Sequence, residues 1–154
     1  MGSVFLNHIG IAVKTTENLR KLFEILELKI QHSEDVPEQS VETHFIPLPL
    51  KTTNLELLKP FGTGGAVERF LEKRGPGVHH LSFECVRGRL STLSAELRSA
   101  GYELLYGEPK AGAHHMLVNF IHPKTADGLL IEIMEPMENS DLSVVPSSKM
   151  EAVK

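Results

Sequence analysis

Apolar and polar side chains alternate with a period of two from Val4 to Val13, so this stretch is expected to be a strand. One face carries His8, Gly10 and Ala12, and the other Ile9, Ile11 and Val13. The period then lengthens. Leu19, Leu22, Phe23 and Leu26 follow the i, i+3, i+4, i+7 spacing of a buried helix face, with Thr15 or Thr16 placed to cap it. Extended patterns return at Lys29–Ser33, Val41–Leu48 and Asn54–Leu58, separated by a polar turn at Asp35–Gln39 and closed by prolines 47, 49 and 60. The first part of the chain therefore reads as βαβββ.

A glycine-rich link leads to a short helix with Val67, Phe70 and Leu71 on one side, broken at Arg74-Gly75-Pro76-Gly77. The order then begins again. A strand at 78–86 turns His80, Ser82 and Glu84 one way and Leu81, Phe83 and Cys85 the other. A helix near 88–100 directs Leu90, Leu93 and Leu97 inward and ends at Gly101. Strands are expected at Tyr102–Tyr106, Met116–Ile121 and Leu129–Met134.

Duplication is legible in residues as well as in element order. His8 and His80 lie 72 positions apart, each opening the first strand of its module. Glu56 and Glu132 lie 76 apart, each in a last strand and flanked by aliphatic residues that would face the helices. The expected fold is α+β: two βαβββ modules, about 4–60 and 76–136, building a curved mixed sheet with helices on its convex face. Residues 1–137 would form one domain, with 138–154 as a flexible tail that has no apolar period. If a pseudo-twofold axis relates the modules, His8, Glu56, His80 and Glu132 converge in one cup. Two imidazoles and two carboxylates suit a divalent transition metal that keeps positions open for substrate. His79 should point away toward the helices, and His114, His115 and His122 lie in or beside loops at the mouth.

Composition narrows the classes of partner. A net charge of −4 over 154 residues argues against non-specific nucleic-acid binding. No apolar run reaches membrane-spanning length and no signal peptide is visible. The single Cys85 excludes an internal disulfide and a multi-cysteine zinc site, and fits a reducing cytoplasm. Its position on the apolar face suggests inert packing.

Longer matches carry a family resemblance. Asn7-His8-Ile9-Gly10-Ile11-Ala12-Val13, Leu55-Glu56-Leu57-Leu58-Lys59-Pro60, Gly77-Val78-His79-His80-Leu81, Gly112-Ala113-His114 and Phe120-Ile121-His122-Pro123-Lys124, running on to Gly128-Leu129-Leu130-Ile131-Glu132, resemble the vicinal oxygen chelate superfamily. That superfamily holds glyoxalases, bleomycin-resistance proteins and dioxygenases. The His-His pair and the His-Pro-Lys turn are similar to its acyl-CoA epimerase branch. The resemblance implies cobalt or another divalent ion (zinc, manganese, nickel or iron) on His8, Glu56, His80 and Glu132. It also implies an acyl-CoA substrate, proton removal and return at C2, Glu132 as both ligand and acid/base, and a homodimer. Thr43 stands where some members carry a second glutamate, which leaves the second proton relay unassigned.

Two other readings share the fold. Glyoxalase I uses the same ligand pattern but usually has an Asp-Pro-x-Gly turn where this chain has His122-Pro123-Lys124. Metal-free binding proteins of the superfamily need no carboxylate in the cup, and here both His/Glu pairs are kept.

Overall fold

The computed structural model describes residues 4–50 and 53–137. The proposed tail at 138–154 lies outside the described residues. β1 (Val4–Ala12) is followed by α1 (Glu17–Ile25), β2 (His32–Val36), β3 (Val41–Pro47) and β4 (Asn54–Pro60). The linking helix α2 (Ala66–Arg74) leads to β5 (Gly77–Cys85), α3 (Leu90–Ser99), β6 (Lys110–Ala111), β7 (Met116–Ile121) and β8 (Leu130–Pro136). All eight strands form one mixed sheet in the order β2-β3-β4-β1-β5-β8-β7-β6. The modules meet along an antiparallel β1–β5 seam, and each pairs its first strand in parallel with its last, β1 with β4 and β5 with β8. The doubled βαβββ order and the α+β class are thus present in one continuous sheet.

Burial separates the two faces as the alternation requires. Leu55 and Leu57 pack with Ile11, Val13, Leu19 and Phe23 under α1. Ile131 and Ile133 pack with Cys85, Leu90, Leu93 and Leu97 under α3. Helix α2 covers the other face, where Val67 and Leu71 join Ala12, Val41 and Leu58 and close one end of the cup. No helix among the described residues is long and apolar enough to cross a membrane.

Several local expectations are corrected. Helix α1 buries less than its spacing implies: Leu22 and Leu26 are exposed. The helix stops at Ile25, the backbone turns through a positive φ of 60° at Glu27, and Leu28 and Ile30 take the inward places instead. Thr16 stands at the N-cap without a side-chain capping bond. The strand expected at Lys29–Ser33 begins only at His32, because Leu28 and Ile30 are drawn beneath α1. Tyr102–Tyr106 forms no named strand and makes one bridge, Leu104 to Ile121. Two backbone bonds run beside that bridge, Leu105 N to Phe120 O at 2.9 Å and His122 N to Glu103 O at 2.7 Å, and at Tyr106 the Asn119 side chain takes over, its Oδ1 accepting from Tyr106 N at 3.1 Å and its Nδ2 donating to Tyr106 O at 3.0 Å.

Candidate metal centre

Four strands place the four sequence-marked groups. The registers Gly10↔Glu56 and Ser82↔Glu132 set each glutamate beside the residue two positions after its module's histidine. His8 and His80 meet across the seam, with their Nε2 atoms 3.0 Å apart and their rings edge-on. Glu132 Oε2 lies 3.4 Å from His8 Nε2. Donor atoms of His8, His80 and Glu132 all fall within 4.8 Å of one another. Glu56 stands at the opposite edge of the same imidazole, with Oε1 3.5 Å from His8 Nδ1. All four therefore share the cup, with three donor groups drawn tightly together and Glu56 alongside.

The approach of the two histidines depends on a missing side chain. A Cβ at Gly10 would lie 2.3 Å from Cε1 of His80 and 2.6 Å from its Nδ1. Glycine leaves the space that the His80 ring fills.

His79 is where the alternation fails. In β5 the partners run from His80 (opposite Gly10) directly to Val78 (opposite Ile11), so His79 is the extra residue of a β-bulge. The bulge turns its side chain into the cup, where His79 Nδ1 lies 2.9 Å from His80 Nδ1. A matching bulge in β1 skips Asn7, whose Oδ1 lies 2.9 Å from His8 Nδ1. Neither residue was marked for the site by alternation. The available signal was a polar residue on a strand face otherwise aliphatic, at the same place in both modules.

The loop histidines divide. His114 lines the cavity in a left-handed conformation (φ 53°), edge-on to Phe45 and 3.6 Å from Glu34. His115 is exposed, and His122 accepts a hydrogen bond from Lys124 N within its turn. Thr43 is buried and lines the cavity. Glu42 pairs with Lys59, and His44 with Ser33.

Burial sets the electrostatics. It pushes His8 down to about 4, helped by His114, and holds His80 well below the usual imidazole range, helped by His8 and His79. Both rings are neutral and keep a lone pair. Burial, then Glu132 and Glu34, push Glu56 up to about 8. Glu132 is also raised by burial, a rise tempered by Ser82, although the Ser82 hydroxyl makes no hydrogen bond of ordinary geometry. Arg69 is the only lysine or arginine among the described residues that lines this cavity of about 750 Å³. Two buried carboxylates without a cationic neighbour at hand, facing two neutral imidazoles, form a donor set that a divalent cation fits.

This fold and donor set define a class of protein. The glyoxalase/bleomycin resistance protein/dioxygenase superfamily model matches residues 7–120, and the chain belongs to that superfamily. The relatives are more particular. The chain is 39% identical over 131 residues to the ethylmalonyl-CoA/methylmalonyl-CoA epimerase of Cereibacter sphaeroides, covering 83% of this chain and 95% of that one. The crystal structure of methylmalonyl-CoA epimerase from Mycobacterium tuberculosis superposes with a TM-score of 0.77 at 30% identity, covering 91% of each chain. A methylmalonyl-CoA epimerase in complex with methylmalonyl-CoA and NH4+ matches at a TM-score of 0.76 and 28% identity, covering 88% of this chain and 96% of that one.

Proposed function

We propose that the chain is a methylmalonyl-CoA epimerase, an isomerase that interconverts the 2R and 2S thioesters by moving the C2 proton. The observation that carries this reading is the convergence of His8, His80 and Glu132 on the cup floor of a chain whose relatives bear that name. His8, His80 and Glu132 would hold a divalent ion, with cobalt as the favoured ion; Glu56, at the Nδ1 edge of His8, would add a fourth oxygen only by changing rotamer. When bound, that ion supplies the positive charge that polarises the thioester carbonyl and acidifies the neighbouring C–H.

The chain's own residues do the rest. Glu132 takes the C2 proton with its carboxylate; burial raises this group in the metal-free chain, and a bound ion would lower it again while acidifying the C–H. Phe45, Leu58, Val118, Phe120 and Met134 line the cavity with apolar surface that excludes water from the reacting carbon. At the cavity wall α2 contributes Arg69, and the same helix carries Lys73 and Arg74 into an adjoining recess of about 220 Å³. These three cations suit the phosphates of coenzyme A.

The deciding experiment follows C2 of methylmalonyl-CoA by NMR in deuterated water. Exchange that depends on added divalent metal is expected, and its absence would refute the reading. Rapid thioester formation from a methylglyoxal–glutathione hemithioacetal would redirect it to glyoxalase chemistry. We also propose a homodimer. β2 and β6 leave both sheet edges open, and Val4, Phe5 and Val86 are exposed at one end of the seam. Light scattering that showed only a 17.1 kDa species at micromolar concentration would count against it.

A further inference from the structure

Adjacent residues of a regular strand point to opposite faces, so Asn7 and His79 should be unable to touch the histidines that follow them. The two bulges remove that restriction at equivalent places. Each brings a polar side chain to the Nδ1 edge of the next residue's ring, at 2.9 Å in both modules.

The direction of the first contact can be worked out from its neighbours. Asn7 Nδ2 donates to Glu84 Oε2 at 2.7 Å. A carboxylate only accepts, so the amide NH₂ faces Glu84 and Oδ1 faces His8. Oδ1 also only accepts, so the hydrogen must sit on His8 Nδ1. That leaves the lone pair on Nε2, the atom 3.0 Å from His80 Nε2 and 3.4 Å from Glu132 Oε2. Across the seam His79 occupies the same relation to His80, with its ring held edge-on by Phe70. His79 Nδ1 can accept from His80 Nδ1–H, which frees the second Nε2 lone pair.

We propose that Asn7 and His79 are paired positioning residues: matched bulges place each to accept the Nδ1 proton of the following histidine, so that both Nε2 lone pairs face one metal ion. This rests on the reading of His8, His80 and Glu132 as metal-holding groups. Partners of this kind typically change metal affinity by roughly 10–100-fold when removed.

The test uses the full-length chain and Co²⁺ or Zn²⁺, measured by competition with a chromophoric chelator and by the visible spectrum of the Co²⁺ form. Asn7→Leu and His79→Leu should each weaken binding by roughly 10-fold or more. His79→Asn, which copies the first module, should stay within a few-fold of wild type. Asn7→Asp alone sets two carboxylates against each other at Glu84 and should bind poorly. Adding Glu84→Gln restores a donor to that contact and should recover most of the affinity. A packing role would not produce this rescue. Leucine variants that bind as tightly as wild type, or a double variant no better than Asn7→Asp, would overturn the proposal. If a leucine variant does not fold, ¹⁵N NMR of wild-type imidazoles decides, since the His8 hydrogen should sit on Nδ1 with and without metal. Finding it on Nε2 would overturn the relay. A wild-type chain that bound neither metal would refute the metal reading itself, separately from the tautomer result.

Discussion

Gly10→Ala isolates the close approach on which the site depends. The added methyl would stand 2.3 Å from His80 Cε1, 2.6 Å from Nδ1 and 2.9 Å from Nε2. Ordinary contact begins near 3.4 Å, so the ring must retreat by about 1 Å (3.4 − 2.3). Metal–ligand distances tolerate about 0.2 Å, so a displaced His80 no longer serves as a donor beside His8 and Glu132. Overpacking of this kind costs about 1–3 kcal/mol of stability. Loss of a ligand should cost more metal affinity than loss of an outer partner, hence at least about a hundredfold. The assay is a metal titration of the folded variant, with a denaturant melt of its metal-free form. Gly77→Ala, on β5 with His80, is the control: a Cβ there meets nothing within 4 Å, so metal affinity should be unchanged and stability equal or slightly higher. A Gly10→Ala chain that bound Co²⁺ within threefold of wild type, with the same spectrum, would refute the reasoning.

Other expectations follow from the same geometry. Glu132→Gln keeps an oxygen donor and loses the base, so it should retain much of its metal while C2 exchange falls by several orders of magnitude; Glu56→Gln should remain substantially active. Equal losses would reassign the base, with Thr43 the next position to examine. The metal-free protein should pass through a stability maximum and lose stability on both its acid and its alkaline side. The depressed His8, His79 and His80 contribute stability that is present above 6.5 and lost as pH falls, for His8 through about 4, whereas the raised Glu56 and Glu132 contribute stability present below 4.5 and lost as pH rises, for Glu56 through about 8. Each group contributes at most about 1.4 kcal/mol per pH unit, and a monotonic denaturant-midpoint profile between about pH 4 and about 8 would contradict both sets of assignments. Lys73→Glu with Arg74→Glu should raise KM for the CoA thioester and flatten or invert its salt dependence, but leave a phosphate-free pantetheine thioester unaffected; equal effects on the two substrates would remove α2 from the binding of coenzyme A.

The fold was readable because the strands that open and close each module, β1, β4, β5 and β8, keep period-two alternation over most of their length. β7 falls on Met116–Ile121, where the pattern puts it, and Glu56 and Glu132 are each flanked by aliphatic residues that do pack beneath the helices. Strand propensity failed at Tyr102–Tyr106, where four of five side chains favour or tolerate β structure. There two backbone bonds to β7 and its end are made, and at Tyr106 the buried Asn119 side chain supplies the hydrogen bonds that a longer ladder would have supplied. Alternation also could not show that Glu56 would meet the Nδ1 edge of His8 while Glu132 met Nε2, because that choice is made by rotamers. The bulges are the more instructive miss. Asn7 and His79 occupy positions that alternation assigns to an aliphatic face, and a polar residue recurring there in both modules is itself a sign that the strand is interrupted.

Duplication alone does not make the site; the antiparallel seam does. Pairing β1 against β5 sets His8 opposite Ser82 and Gly10 opposite His80, so each histidine faces the residue two places beyond the other. Identical modules would crowd two rings against two side chains at the centre of the sheet. Glycine at one of these positions and a small buried hydroxyl at the other resolve that conflict. They also make the two halves of the cup unequal: Glu132 lies on the serine side and Glu56 on the glycine side. The cup therefore carries one carboxylate from each module, similar in position and different in surroundings. Its near-symmetry follows from the repeat, and its inequality from the single small residue that each module places beside the other's histidine.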